Sequence, residues 1–235
     1  MEKKLKHKDV IKLVKRNEIK EIVEKTTAYF TKNTENVIIA AIIAAALIIG
    51  IPLFLKAGKA NSEKAEQALA RANNIFNAPV SNDAQMAMYG YFPGNQQKYE
   101  TAASSYMEVI QGYRNTKAAA FAQLGLAASY FNNGKFGEAE EAYSLFIEKN
   151  AKHAMLAEAY NGLAYSRLEA GKLKEASEAW EKIVNELDKS AVIWEAAYNL
   201  ASVYEMLGRK EDSKTLYTKT AAGDDAYYAA KAAAK

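Results

Sequence analysis

The clearest feature of the hydrophobic pattern is an uninterrupted apolar stretch near the N-terminus. Residues 37–55 read VIIAAIIAAALIIGIPLFL and contain no charged side chain. As a helix, this stretch would extend about 28 Å, close to the thickness of the hydrocarbon core of a bilayer. It therefore predicts a single transmembrane helix over residues 37–55. The alternatives are a buried core helix, which is rarely apolar on every side, and a cleaved signal peptide, which rarely follows so long a charged segment.

The segment before this stretch combines positive charge with helical periodicity. Residues 1–36 hold ten Lys or Arg and six Asp or Glu. Apolar residues recur between them at helical spacing, which predicts an amphipathic helix over about residues 9–30. This helix could lie on anionic lipid, pack on a partner helix, or remain solvated and only fix the topology. The apolar residues are Val10, Ile11, Val14, Ile19, Ile22, Val23 and Phe30.

Beyond residue 55, a period of 37 residues organises the chain. Glycines recur at this period, and so do small residues, bulky residues and Leu-Ala pairs. So many coincidences at one period indicate an internal repeat. The sets are Gly134, Gly171 and Gly208; Ala102, Ala139, Ala176 and Ser213; Tyr106, Tyr143, Trp180 and Tyr217; and Leu126-Ala127, Leu163-Ala164 and Leu200-Ala201.

Each repeat has the pattern of a helix, a short turn and a second helix. Small residues such as Ala127 and Ala139 would let the two backbones approach closely, while Leu126 and Tyr143 would fill the space beside them. The glycine falls in the turn after the first helix, where a left-handed conformation costs it little. One hairpin cannot bury its apolar faces alone, so the repeats are expected to stack.

These motifs resemble the tetratricopeptide repeat (TPR) family, through a Leu-Ala…Tyr…Gly…Ala…Tyr pattern that covers residues 120–221 and one further second-type helix at 98–112. The resemblance implies an all-α fold, here a single transmembrane helix followed by a short TPR-type solenoid of helical hairpins. The chain departs from the family in its period, which is longer than about 34 residues, and in the absence of the proline that closes each unit. Arg167 also replaces the usual aromatic residue.

The two ends of the array break the pattern. Pro93-Gly94-Asn95 interrupts the first helix expected over residues 83–96, so residues 60–77 are expected to supply that helix instead. The sequence thus predicts a basic cytoplasmic tail over 1–36, a transmembrane helix over 37–55, a linker helix and long loop over 56–97, and a TPR-like domain over 98–235. Residues 224–235 are expected to form a capping helix with Asp224 or Asp225 as N-cap.

The sequence shows no motif for catalysis, cofactor or metal. It has no cysteine, no Gly-rich phosphate loop, no HExxH and no nucleophile elbow. The two histidines, His7 and His153, lie far apart and are expected to be solvated. Residues 56–235 hold 21 Lys or Arg against 22 Asp or Glu, so this part has no basic excess for nucleic acid. We expect no enzyme activity, no cofactor, no metal, no nucleic acid and no small-molecule substrate.

The remaining candidate site is the groove that the first helices of stacked hairpins line. We expect the residues on the turns of these helices that face the groove to contact other proteins or exported polypeptides. Family members that hold a peptide carboxylate use Lys and Arg in this groove, but Leu124, Glu195 and Asn199 occupy the matching places here, which argues against that mode. The predicted partner-binding residues are Asn161, Tyr165, Tyr198, Asn199, Ser202 and Glu205.

The order of the segments also resembles the bacterial YfgM-like proteins, one member of which is an ancillary subunit of the Sec translocon that contacts periplasmic chaperones. With the net positive tail in the cytoplasm, this layout implies that the chain is anchored in the bacterial cytoplasmic (inner) membrane and that its repeat domain lies outside. It also implies a role in protein secretion or envelope assembly. The alternatives are a structural subunit that oligomerises, including a homo-oligomer, without a client of its own, and a mitochondrial import receptor. The tail charge includes the cluster Lys3, Lys4, Lys6 and Lys8.

Overall fold

The computed structural model describes the backbone of residues 7–235 and the side chains of residues 18–36 and 38–235. Two units compose the chain, residues 1–59 and residues 60–235. Every regular element within residues 7–235 is a helix. The all-α prediction is therefore confirmed. Most of the lysine cluster of the tail, and the side chains of Val10, Ile11 and Val14, lie outside the described residues.

The first unit contains helix α1, His7–Lys32, and the start of helix α2, Thr34–Phe76. Within the described residues, α2 is the one helix long and apolar enough to cross a membrane, with a mean hydropathy of 3.0 over its most apolar window. It remains helical through Pro52. On α1, the side chains of Ile19, Ile22 and Val23 are exposed.

The second unit is a series of antiparallel helical hairpins. Helices α4 and α5, α6 and α7, and α8 and α9 form three successive pairs, and each pair packs on the next. Matching helices begin 37 residues apart, at Phe136, Leu173 and Lys210. This is the expected TPR-type solenoid. The helices are α3 Asn95–Gly112, α4 Lys117–Asn132, α5 Phe136–Lys149, α6 Leu156–Glu169, α7 Leu173–Glu186, α8 Ile193–Met206, α9 Lys210–Ala221 and α10 Ala226–Ala233.

The turn inside each hairpin depends on glycine. Gly134, Gly171 and Gly208 have φ angles of 73°, 76° and 78°, in the left-handed region that other residues rarely adopt. The predicted role of these glycines is confirmed. Because the same turn recurs three times, each second helix leaves its partner in the same direction.

The contacts between helices follow the pattern of small and bulky residues. Ala127 on α4 and Ala139 on α5 are fully buried in one core. Between hairpins, a ring packs directly on a glycine of the next first helix. A Cβ atom at Gly125 would lie 2.4 Å from the ring of Tyr106, and one at Gly162 would lie 2.3 Å from the ring of Tyr143. These glycines therefore allow the close approach of neighbouring hairpins.

The C-terminal part of α2 takes the place of a first helix for α3. Ala65 and Ala72 of α2 are fully buried in one core with Tyr106 of α3. The Tyr106 hydroxyl donates a hydrogen bond of 2.7 Å to Asn73 Oδ1. Burial raises the pKa of Tyr106 to about 12, so the hydroxyl keeps the proton that it donates.

The segment between α2 and α3 is shorter and more ordered than the long loop expected over residues 78–97. Helix α3 already begins at Asn95, directly after the Pro93-Gly94 break. A 3-10 helix, Ala84–Tyr89, occupies the middle of the segment, with Asp83 as its N-cap. The Phe92 amide also donates to the Pro79 carbonyl at 2.9 Å. Side-chain capping and backbone pairing of this kind are only weakly visible in sequence.

Helix α10 ends the described array. Its N-cap is Asp225, whose carboxylate accepts from the amides of Tyr227 and Tyr228 at 3.0 and 3.1 Å. The neighbouring Asp224 accepts a hydrogen bond from the Trp194 indole instead. Ala232 is the buried residue of this helix and packs with Tyr217.

Candidate functional site

The first helices α4, α6 and α8 lie side by side, and we call the surface that they share the first-helix face. The rings of Phe131 on α4 and Tyr165 on α6 are 6.4 Å apart. Asn199 on α8 donates from Nδ2 to the Tyr165 hydroxyl at 2.6 Å. These contacts connect three successive hairpins, so the face is one continuous surface.

Tyr165 lies at the centre of the face. Its hydroxyl donates to Glu195 Oε1 at 2.7 Å while it accepts from Asn199. Its ring meets the Trp180 ring edge-on, with centroids 5.3 Å apart. Burial, reinforced by the Glu195 carboxylate, raises the pKa of Tyr165, so its hydroxyl is a neutral donor at physiological pH. Tyr165, Glu195 and Asn199 thus form a hydrogen-bonded polar group that includes one aromatic ring.

Asn161 lies beneath this face and belongs to the core. It is 8% exposed, and its Oδ1 accepts a hydrogen bond of 2.7 Å from the Trp180 indole. The indole N–H is buried and needs an acceptor, which Asn161 supplies. This residue therefore offers little area to a partner. The spacing of Asn161 and Trp180 along the chain does not indicate that they are in contact.

Tyr198 and Ser202 form a second cluster with the last two helices. The Tyr198 ring lies 5.5 Å from the Tyr217 ring and 6.0 Å from the Tyr228 ring, and Lys231 Nζ stands 4.6 Å from its centroid. Ser202 Oγ is 2.8 Å from the Tyr217 hydroxyl. A cation over an aromatic ring is a favourable contact, so α10 holds Tyr198 in place.

Glu205 is the most exposed of the predicted site residues, and its nearest cation is Lys235 Nζ, 3.5 Å away. The structure therefore brings Tyr165 and Asn199 together in one group and Tyr198 with Ser202 in another, while Asn161 lies below the surface. Sequence reasoning missed Tyr228 and Lys231 of α10, because they lie outside the repeat. The binding role of the six residues stays a prediction.

An ion-pair network joins the first two complete hairpins. Arg167 on α6, at the position of the usual aromatic residue, donates from Nε to Glu140 Oε1 on α5 at 2.9 Å. Lys172 Nζ reaches Glu140 Oε2 at 2.7 Å. Although partial burial raises the pKa of Glu140, the hydrogen bonds and charges of Lys172 and Arg167 outweigh it and lower that pKa. Arg167 thus stabilises the stacking and takes no part in the first-helix face.

The expectation that both histidines are solvated is wrong for His153. Its ring packs edge-on against Phe121 and Phe146, with centroids 5.2 and 5.3 Å away, and Nδ1 accepts from the Met155 amide at 3.1 Å. An imidazole has an apolar ring body, which here fills the turn between hairpins. The side chain of His7 lies outside the described residues. Across the described residues, no group of three His, Asp or Glu could hold a metal ion.

No protein-family model matches the chain, and no curated protein matches it. Among solved structures, MamA is 21% identical over 61% of this chain and 75% of its own, with a TM-score of 0.45. A kinesin light chain with TPR-like repeats from Podosopora anserina is 18% identical over 70% of this chain and 73% of its own, with a TM-score of 0.48. BtubC from P. vanneervenii is 16% identical over 71% and 73%, with a TM-score of 0.49.

Structural similarities this weak give no information about the activity, substrate or partner of this chain. The fold rests on the hairpins, the 37-residue period and the left-handed turn glycines of this chain itself. A solenoid of this type presents an extended surface to other chains. The fold thus suggests a scaffold for protein–protein interaction.

Proposed function

We propose that this chain is a membrane-anchored scaffold whose repeat domain binds other polypeptides at the outer face of the cytoplasmic membrane, in protein secretion or envelope assembly. The observation that carries the proposal is the first-helix face, a continuous surface built by three hairpins. Its side chains are aromatic rings, amides and carboxylates, most of them partly buried and one, Glu205, exposed. Such groups recognise a peptide through amphipathic area and hydrogen bonds to its backbone.

The apolar segment of α2 supports the membrane part of the proposal. Ile42, Leu47 and Phe54 are each more than half exposed, although they are among the least water-soluble side chains. Lipid would remove this apolar area from water, at about 25 cal/mol for each Å². A tether of this kind keeps a weakly binding face at high effective concentration near polypeptides that reach the membrane.

The face is tested by the triple substitution Tyr165→Ala, Tyr198→Ala and Asn199→Ala in the full chain. Asn161 is left intact because its loss would leave the buried Trp180 N–H without an acceptor. With a photo-crosslinking amino acid at Glu205, the most exposed of the predicted site residues, we expect at least about a tenfold loss of polypeptide adducts in native membranes, the usual effect of losing aromatic contacts at an interface.

The matched control is Glu141→Ala, Leu145→Ala and Lys149→Ala, three exposed residues of the second helix α5. This control should keep the adducts, and both variants should keep the helicity and the membrane association of the original chain. If the triple variant retains every adduct, the first-helix face is not the binding site.

The proposed topology predicts which exposed positions an impermeant thiol reagent reaches in intact cells. The chain has no cysteine, so single substitutions report without background. Asn82→Cys, exposed in the segment before α3, and Lys189→Cys, exposed in the repeat domain, should react. Lys20→Cys, exposed on α1, should react only after permeabilisation. Reaction of Lys20→Cys alone in intact cells would reverse the topology.

A further inference from the structure

A tyrosine and a glutamate in the repeat domain together hold a cation. The Tyr204 hydroxyl on α8 donates to Glu181 Oε1 on α7 at 2.6 Å. The Arg209 guanidinium lies over the Tyr204 ring, with Cζ 3.6 Å from the ring centroid, and its Nη1 is 3.5 Å from Glu181 Oε1. Its Nε donates to Asp212 at 2.8 Å. The guanidinium therefore contacts both an aromatic ring and a carboxylate, the two kinds of group that attract it.

A second pair of a tyrosine and a glutamate holds a lysine. The Tyr217 hydroxyl on α9 lies 3.5 Å from Glu205 Oε2 on α8. Lys235 Nζ is 3.5 Å from the same carboxylate oxygen and 5.8 Å from the centroid of the Tyr217 ring. A tyrosine hydroxyl beside a carboxylate thus accompanies a bound basic side chain at two places in this chain.

The third pair, Tyr165 and Glu195, lies on the first-helix face and binds no cation among the described side chains. Glu195 Oε1 accepts from the Tyr165 hydroxyl at 2.7 Å, whereas Glu195 Oε2 makes no hydrogen bond to a described residue. Both side chains are partly exposed. Lys231 of α10 stands over the neighbouring Tyr198 ring, 4.6 Å from its centroid, and makes no ion pair with Glu195. The pair therefore offers a ring and a carboxylate to a cation of another chain.

The charge of the first-helix face also favours a basic partner. Its three helices carry four carboxylates and two basic residues, Lys117 and Arg167. Arg167 binds Glu140 on α5, away from the face. Helix α10 adds Lys231 and Lys235 at one end, and Lys235 is the ion-pair partner of one of the four carboxylates. The three others make no ion pair with a described side chain. They are Glu158, Glu169 and Glu195.

We propose that the Tyr165–Glu195 pair binds a basic side chain, preferentially arginine, of the polypeptide on the first-helix face. The inference rests on the proposed function and names the class of polypeptide that the face accepts, a basic segment. The guanidinium lies against the Tyr165 ring and pairs with Glu195, as Arg209 does with Tyr204 and Glu181. Arginine suits this pair better than lysine, because its planar group can stack on a ring while it binds a carboxylate.

The test uses two unstructured peptides of about 12 residues, made of Gly and Ser with arginine at every fourth position or, in the second peptide, with citrulline there. Citrulline has nearly the size of arginine but no charge. Binding to the full chain in non-ionic detergent micelles is followed by fluorescence anisotropy. We expect the arginine peptide to bind at least about tenfold more tightly, the effect of one charge-assisted contact. A photoreactive group beside an arginine should label α6 or α8.

Glu195→Gln should remove most of this preference. The amide oxygen of glutamine can still accept from the Tyr165 hydroxyl, so the substitution removes the charge and keeps the hydrogen bond. The matched control is Glu178→Gln, which makes the same change of net charge at an exposed position of the second helix α7. It should leave the preference unchanged, and both variants should keep the helicity of the original chain.

The inference is wrong if the two peptides bind equally, if neither binds, or if Glu178→Gln has the same effect as Glu195→Gln. Labelling confined to other helices would also contradict it. Equal binding of both peptides that the triple variant of the first-helix face abolishes would leave the proposed function intact, since the face would then bind polypeptides without a preference for basic ones. If the triple variant binds the arginine peptide as the original chain does, both proposals are wrong.

Discussion

Ala139→Asp should unfold the repeat domain. Ala139 is fully buried where α5 approaches α4, and Ala127 is equally buried in the same core. A carboxylate there would lose its water without gaining a partner, and burying an unpaired charge is among the most destabilising changes known. We expect a loss of more than about 4 kcal/mol in the free energy of unfolding, comparable with the whole stability of many domains. Circular dichroism during thermal unfolding of the full chain measures it.

The control is Ala70→Asp, at an exposed position of the same unit on α2. It should cost about 0.7 kcal/mol, the difference in helix propensity between Ala and Asp. An unchanged midpoint for Ala139→Asp would mean that α4 and α5 do not pack through these alanines.

Trp180→Ala should be the second most damaging change. Trp180 is the largest fully buried side chain, and it contacts Tyr165 on one side and Asn161 through its indole. Its removal leaves a cavity inside the hairpin of α6 and α7, and the Asn161 amide oxygen loses its hydrogen-bond donor. Large-to-small changes of this kind cost about 3–5 kcal/mol. Urea unfolding of the full chain should show this loss as a lower midpoint.

The other tryptophan provides the comparison. Trp194 is only partly buried, contacts Gly223 and donates to Asp224 next to α10. Trp194→Ala should loosen α10 and lower the midpoint clearly less than Trp180→Ala does. If the two substitutions lower the midpoint equally, the core of the array does not lie between α6, α7 and α8.

The repeat made most of the fold predictable. A constraint that recurs every 37 residues appears several times in one sequence, so the turn at Gly134 is recognisable from Gly171 and Gly208. Nothing repeats α10, so the contacts of Tyr228 and Lys231 with Tyr198 could not be predicted. The short segment before α3 is equally unique, and its 3-10 helix depends on local capping by Asp83.

The candidate site was less predictable because the same residue type serves the core and the surface. Asn161 and Asn199 are the same residue type on two first helices, yet the first accepts from a buried indole and the second donates to a tyrosine hydroxyl on the face. His153 similarly fills a gap between two phenylalanine rings. Only distances in three dimensions separate these roles, since the residue type and its polarity are the same in both.

The packing of Tyr106 on Gly125, and of Tyr143 on Gly162, also bears on how such an array can grow. Each ring belongs to one hairpin and each glycine to the next. Duplicating a single hairpin joins a ring and a glycine correctly only if the copied segment keeps their offset of 19 residues. A copy that keeps the offset extends the array without redesign, whereas one that loses it sets a ring against a side chain. A copied segment of one full 37-residue period keeps this offset wherever it begins, so the period, and not the boundary of a hairpin, defines the unit that can be duplicated.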